Sequence, residues 1–337
     1  MTERRRPGGL LAGLVGLTVL LLALVFLSIT QGSRDIGLAD VVDALRDLAA
    51  VTTDDTVTVR LRVPRTVLGV LVGAALGVSG AILQGLTRNP LADPSIMGIE
   101  AGAALAVVLG ITALGITTIG GHVMLAFVGA LAATALVYGV GSLGRDGATP
   151  VKMALAGAAI TAGLGAITIG LLLTDLQAQN EFRFWQVGSL AGRYAPVVTG
   201  VAPVLLLGLI AGLLCGGSLN ALALGDDAAR GLGVSLTRTR VGLFAVVAVL
   251  CGAATAACGP IVFVGLVVPH AARAICGPDY RWILPYSLLL GPVLLLLADV
   301  LGRVVGGSGE LQVGVVLGVL GAPFFIALVR FSRLAQL

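Results

Sequence analysis

Charge is scarce in this chain. Only 11% of its residues are Asp, Glu, Lys or Arg, less than half the roughly 25% of a soluble globular domain. There is one lysine, Lys152, and two histidines, His122 and His270. Each scarcity removes a class of chemistry. A P-loop needs a lysine directly after its glycines to reach the phosphates, and Lys152 sits instead in Pro150-Val151-Lys152-Met153. The chain therefore has no P-loop with which to hydrolyse ATP. A zinc protease holds its metal between two histidines on one helix face with a glutamate beside the first. Neither histidine has a neighbouring glutamate. Gly188-Ser189 lacks the second glycine of a nucleophile elbow. Cys215, Cys251, Cys258 and Cys276 show no C-x-x-C spacing and read as small buried side chains. No catalytic residue, cofactor or metal is expected in the chain. The net charge of +4 is too modest for a nucleic-acid surface.

Long apolar runs are what the chain has in abundance, since hydrophobic residues make up 57% of it. About 20 apolar residues, each rising about 1.5 Å, cross a hydrocarbon layer of about 30 Å. Such stretches lie near residues 10–30, 64–86, 94–112, 121–142, 151–173, 196–217, 241–258, 260–275, 283–302 and 311–329. None alternates with the two-residue period of a membrane barrel. The pattern predicts an all-α membrane protein, a polytopic bundle of about ten transmembrane helices forming one domain over residues 1–337. The first run is longer than a signal-peptide core and ends without a small-residue cleavage site, so it reads as a retained helix behind a short tail at 1–9. Alternation then puts Arg88, Arg145, Lys152, Arg230, Arg238, Arg240, Arg273 and Arg281 on the side of both termini. Basic loops favour the cytoplasm, so the N- and C-termini are expected there, with the chain multi-pass in a prokaryotic cytoplasmic membrane. Residues 34–62, 174–196 and 302–310 fall outside.

Several local features add to this frame. Residues 36–50 carry apolar positions at helical spacing with acids between them, which suits a helix lying on the outer surface. Gly69, Gly73 and Gly77 form a small-residue ridge that lets two helix backbones approach. Asp299 is the clearest intramembrane charge, and Arg303, one turn later, is placed to pair with it. Spans otherwise nearly free of charge hold no evident ion relay, so the energy source is expected outside the chain. Residues 219–234 are polar within an apolar sequence. There Asp226-Asp227-Ala228-Ala229-Arg230 puts acids in the first turn of a short helix and glycines at its end, a docking element for a partner on the inner face.

Arg62-Val63-Pro64-Arg65, Gly73-Ala74-Ala75-Leu76, Arg88-Asn89-Pro90-Leu91-Ala92-Asp93-Pro94, Phe184-Trp185 with Gly188-Ser189-Leu190, Gly259-Pro260, Phe263-Val264-Gly265-Leu266 and Gly321-Ala322-Pro323 together resemble the FecCD family, permeases of ATP-binding-cassette importers for iron-siderophore, haem and cobalamin. The resemblance runs from about residue 60 to the C-terminus and implies a type II importer permease architecture. It implies two ATPase subunits carrying the ATP and magnesium, a second permease subunit, identical or merely similar, a substrate-binding protein outside, and membrane lipid around. Asp227-Ala228-Ala229 with Gly233 is similar to the family's E-A-A-x-x-x-G coupling signature. The ATPase-coupling set is thus Leu219, Ala221, Leu222, Gly225, Asp226, Asp227, Ala228, Ala229, Arg230 and Gly233. Arg62, Arg65 and Arg303 match arginines that dock the binding protein; without the resemblance, arginines snorkelling to headgroups explain them equally well. Asn89, Pro90 and Leu91 with Thr149 and Pro150 match the inner gate. Phe184, Trp185, Gly188 and Ser189 fall near the outer mouth, where Trp185 also fits an aromatic-belt anchor. The resemblance favours ferric siderophore as cargo, with haem or cobalamin as the alternative and an ion-coupled secondary carrier as the reading from another class.

Overall fold

The computed structural model describes residues 7–31, 41, 54–144, 149–306 and 309–331. Thirteen α-helices and no strand occur among them. In chain order they are α1 (Pro7–Thr30), α2 (Asp54–Thr87), α3 (Ile99–Leu114), α4 (Ile119–Gly141), α5 (Pro150–Thr174), α6 (Leu176–Gln186), α7 (Ala195–Leu214), α8 (Gly216–Ala223), α9 (Asp226–Gly231), α10 (Leu236–Cys258), α11 (Val264–Cys276), α12 (Tyr280–Gly306) and α13 (Val313–Phe331). Seven of them are long and apolar enough to cross a membrane, and α3, α11 and α13 are shorter apolar helices. These ten correspond one for one to the ten predicted runs. The chain is an integral membrane protein.

Two expectations need revision. Residues 174–196, read as a plain loop, contain α6. Asp175 caps it by accepting from Gln177 N at 2.9 Å and Ala178 N at 3.0 Å. Ala178, Phe182 and Trp185, one helical face, are buried. The run 94–112 is broken: a 3₁₀ turn at Pro94–Met97 precedes Gly98, whose φ of 72° starts α3 in a new direction. The surface helix expected over 36–50 lies outside the described residues except for Val41, which is helical and buried against Val59, Ile29 and Val63.

The core is built around α2, which packs against α12, α11, α10 and α7. Its glycine ridge faces α12. A Cβ on Gly73 would lie 2.7 Å from the backbone N and Cα of Pro292, and one on Gly77 would lie 2.5 Å from Ser287 O. No side chain stands between the two backbones there, which is the close approach that small residues allow in lipid. Polar bonds lock the neighbours. Ser28 Oγ and Thr66 Oγ1 are 2.8 Å apart, joining α1 to α2, and Tyr286 Oη donates to Leu10 O at 2.8 Å, joining α12 to α1. Gln84 Nε2 donates to Gly265 O at 3.2 Å and to Leu266 O at 3.3 Å while its Oε1 accepts from Arg273, tying α2 to α11. Buried amides and hydroxyls are thus spent as interhelical bonds where no water can serve them.

Gly73→Ala is expected to lower the melting midpoint of the detergent-solubilised protein, because overpacking against backbone costs about 1–3 kcal/mol and cannot be relieved by a rotamer change. Gly16 is the control, since a Cβ added there would have nothing within 4 Å, and Gly16→Ala should leave the midpoint unchanged or raise it. Equal melting of Gly73→Ala and wild type would remove the ridge as a constraint.

Candidate functional site

The polar stretch 219–234 folds as α8 and α9 joined through Gly225, whose φ is 105°. Leu219, Leu222 and Ala229 are buried and seat the pair on the bundle. Asp227 and Arg230 point away, with side chains 99% and 65% exposed and 3.1 Å apart. Ala228, Gly231, Leu232 and Gly233 are exposed beside them, while Ala221 and Gly225 are half-buried. The expected coupling set therefore divides into residues that anchor the element and residues that it presents.

Asp226 belongs to the first group. Its Oδ1 accepts from Arg88 Nη2 at 2.7 Å and its Oδ2 from Arg240 Nη2 at 2.8 Å. Burial pushes its carboxyl up, but Arg240 and Arg88 outweigh that and hold it below the ordinary value of 3.8. Arg88 also donates to Leu222 O from Nε at 3.0 Å and Nη2 at 2.6 Å, capping the carbonyl end of α8. This arginine stands at the far end of α2 with φ of 50°, and Asn89 N closes the helix by donating to Gln84 O at 3.2 Å. That is the left-handed position usually held by glycine. An L side chain there costs about 1–2 kcal/mol, and the arginine held there spans from α2 to both α8 and α9. The sequence reading missed Arg88 as a site residue; its signal was an arginine directly before Asn89-Pro90, at a helix end where glycine is the rule.

The residues expected at the inner gate follow at once. Asn89 Oδ1 accepts from Leu91 N at 2.9 Å, an Asx turn around Pro90. Thr149 caps α5, its Oγ1 accepting from Lys152 N at 3.4 Å, with Pro150 in the first helical position. Asp93 and Glu100, which the sequence reading passed over, face a tight cleft with Cys251, Thr255 and Gly265. Glu100 lies inside a predicted span, and that placement was the available signal.

At the opposite end of α2 stand the three arginines expected to dock a binding protein. All three are together, but the structure corrects how they are presented. Arg62 is 6% exposed and its Nη1 donates to Ile29 O at 3.0 Å and Thr30 O at 2.9 Å. Arg303 is 1% exposed; Nη1 donates to Ser28 O at 2.8 Å and Gln31 O at 3.0 Å, and Nη2 pairs with Asp299 at 3.1 Å, the ion pair anticipated from spacing. Arg65 grips Asp299 from Nη2 at 2.8 Å and Glu310 from Nη1 at 2.8 Å. The reason is that α1 ends here with unbonded carbonyls, and a guanidinium with five donors satisfies several at once. These residues, with Arg193, Tyr194 and Glu310, line a cavity of about 330 Å³.

Beside it the turn 187–193 is fixed by backbone. Ser189 N donates to Cys258 O at 2.7 Å, and Gly314 N donates to Gly188 O at 3.1 Å. Gly188 has φ of 72°, and a Cβ there would meet Pro260 O. Trp185 is buried and stacks on Phe182 with ring centroids 5.5 Å apart, so it is a wall residue rather than an exposed belt anchor. Phe184 lies in α6, but its side chain is not among those described.

One end of the bundle thus carries a paired aspartate beside an exposed one, and the other a cluster of arginines. The profile of the FecCD transport family matches residues 20–331. The chain belongs to that family. This FecCD permease is 44% identical over 317 residues to the ferric enterobactin transport system permease protein FepD of Escherichia coli (strain K12), covering 94% of each chain. It is 38% identical to the hemin transport system permease protein HmuU of Yersinia pestis, covering 93% of this chain and 95% of that one. Among solved structures, one described as an inward-facing conformation of a metal-chelate type ABC transporter superposes with a TM-score of 0.81 at 26% identity, over 95% of this chain and 98% of that one.

Replacing Arg88 separates its two roles. Arg88→Gln removes the charge and Arg88→Gly also removes the backbone strain, and both should speed amide hydrogen exchange across 219–234. The expected increase is roughly three- to tenfold, since partly exposed charged bonds are worth only about 1 kcal/mol after screening. Because the Asp226 carboxyl is held low, protection should persist at neutral pH and fade only on acidification below its ordinary range. Unchanged exchange in both variants would show that the strut does not hold α8 and α9.

Proposed function

We propose that the chain is the membrane-spanning permease subunit of an ATP-driven importer, that it moves ferric siderophore complexes, and that α9 is the element on which a separate ATPase pushes. The observation that carries the reading is the pairing of an exposed Asp227 on a short, rigidly seated helix with an adjacent gate sequence. Arg88 joins α9 to the end of α2, and Asn89-Pro90-Leu91 continues directly from it. A load applied at Asp227 is thereby delivered to the mouth of the bundle through ion pairs and helix ends rather than through a flexible loop. Rigid-body tilting of the helices then alternates access to the pathway.

Family membership supports the ATPase partner, since the relatives carry permease names from transport systems, and the fit to a metal-chelate ABC transporter supports the same mode of action. Ferric siderophore is preferred over haem because identity to the ferric enterobactin permease exceeds that to the hemin permease. A second permease subunit is expected on the apolar surface of α5, where Val151, Leu155, Ile167, Ile169 and Leu173 are exposed. The end bearing α9 is taken as cytoplasmic, with both termini, and the arginine cluster as the outer face that receives a binding protein. There Arg65 and the partly exposed Glu310 are the groups within reach; Arg62 and Arg303 act by holding the frame.

The permease, its ATPase and its binding protein reconstituted in lipid vesicles should import ferric enterobactin only with ATP, and vanadate should stop it. Asp227→Lys should reduce uptake by about tenfold or more while leaving the permease folded, because it reverses the charge presented at the contact. Uptake driven by an ion gradient without ATP, or full uptake by the Asp227→Lys variant, would reject this function.

A further inference from the structure

Seven buried side-chain polar atoms among the described residues have no hydrogen-bond partner, and three of them belong to residues lining one cavity. They are Trp185 Nε1, Arg193 Nε and Gln312 Oε1. The cavity measures about 400 Å³ and lies at the arginine end, walled by α4, α6, the turn 189–193, the end of α10 and the start of α13. Burying a polar atom without a partner costs about 1–3 kcal/mol, so most native structures avoid it unless a bound group completes the bonds. The other four are scattered over Thr161, Arg273, Ser287 and Arg303, whereas these three belong to residues that line one cavity.

Arg193 is the centre of it. No hydrogen bond or ion pair to its guanidinium is found among the described residues, although it is half-buried. It also lines the neighbouring cavity with Arg62, Arg65 and Arg303. Those three are engaged by carbonyls, Asp299 and Glu310, so their field is partly cancelled, but Arg193 has no such partner among the described residues. The remaining lining matches one kind of guest. Trp185 offers an aromatic wall and an indole donor, Gln312 an amide, and His122 has its Nε2 committed to Ile116 O at 2.8 Å. Glu181, the acid in the lining among the described residues, already takes a bond from Gln177 at 3.3 Å.

We propose that Trp185, Arg193 and Gln312 form a subsite at the entrance that takes a negatively charged, oxygen-rich ferric chelate, of catecholate or carboxylate type, in preference to a neutral one. Arg193 donates to the ligating oxygens, where charge-assisted bonds are strongest, and Trp185 forms the apolar wall against the organic rim. The recess favours a small guest over the surface of a binding protein, since Trp185, Arg193 and Gln312 line a cavity rather than a projecting face. The proposal rests on the permease reading above and narrows its cargo by charge.

The chain has two tryptophans, so Trp282→Phe leaves Trp185 as the reporter. In lipid nanodiscs without binding protein, ferric enterobactin should quench that fluorescence saturably, and a neutral ferric trihydroxamate should bind about tenfold more weakly, the value of one charged hydrogen bond. Arg193→Gln should weaken ferric enterobactin by about tenfold and leave the trihydroxamate unaffected, and Arg193→Lys should restore most of the loss. Equal binding of the two chelates, or unaltered quenching in Arg193→Gln, overturns the subsite. So does an effect of Arg193→Gln confined to affinity for the binding protein. ATP-driven uptake of ferric enterobactin by wild type in the same preparation separates the two readings: if uptake persists while the quenching arms fail, only the subsite falls; if wild type imports no ferric chelate, both fall.

Discussion

The antiparallel contact of α2 with α12 sets the geometry of everything else. At Gly73 and Gly291 the two backbones touch; a Cβ on Gly291 would meet Gly73 O. One register then runs the length of both helices. About two turns before Gly73 and after Gly291, Arg65 meets Asp299 at 2.8 Å. In the other direction Gly77 faces Ser287, and Gly85 faces the ring of Tyr280. Lipid offers no hydrophobic drive for one apolar helix to prefer another, so complementarity of shape and a few polar bonds must select the pairing. A slip of one residue along this line would bring side chains between the backbones and part Arg65 from its acid.

Arginine solves a recurring problem at the ends of these helices. Each helix finishes with carbonyls that no amide inside it can reach, and near the membrane water is not always at hand. Arg62 and Arg303 serve the end of α1, and Arg88 serves the end of α8. In each of the last two cases a second group is drawn in as well: Arg303 holds Asp299, and Arg88 holds Asp226. The consequence is that helix ends are cross-linked, and motion of one end is passed to the next. At the turn 187–193 the backbone is tightly bonded, but Arg193 and the neighbouring Trp185 keep donors without a partner among the described residues.

Much of this was legible in order of how local the cause was. Ten helices followed from the length of apolar runs, since hydrocarbon thickness imposes that length on any spanning helix. The helix at Asp226 was legible because acids, alanines and glycines stand out in an apolar chain, and the pairing of Asp299 with Arg303 because both sit on one face of one helix. The α6 helix was hidden by its shortness and polarity, although Asp175 and the spacing of Ala178, Phe182 and Trp185 would have revealed it. Glu100 was counted inside a span without being weighed as a charge.

Sequence by itself determined which segments are long and apolar enough to cross a membrane and which carry polar work, because those properties depend on residues close along the chain. Tertiary structure alone decided which way each charged side chain turns. Arg62, Arg65 and Arg303 look alike as exposed arginines until the end of α1 and the carboxylates of Asp299 and Glu310 are brought against them. Asp226 and Asp227 are adjacent and chemically identical, yet one is bound by Arg88 and Arg240 and the other stands in the open. The difference lies in contacts between residues far apart in the chain, which depend on how helices pack and leave no trace in local spacing.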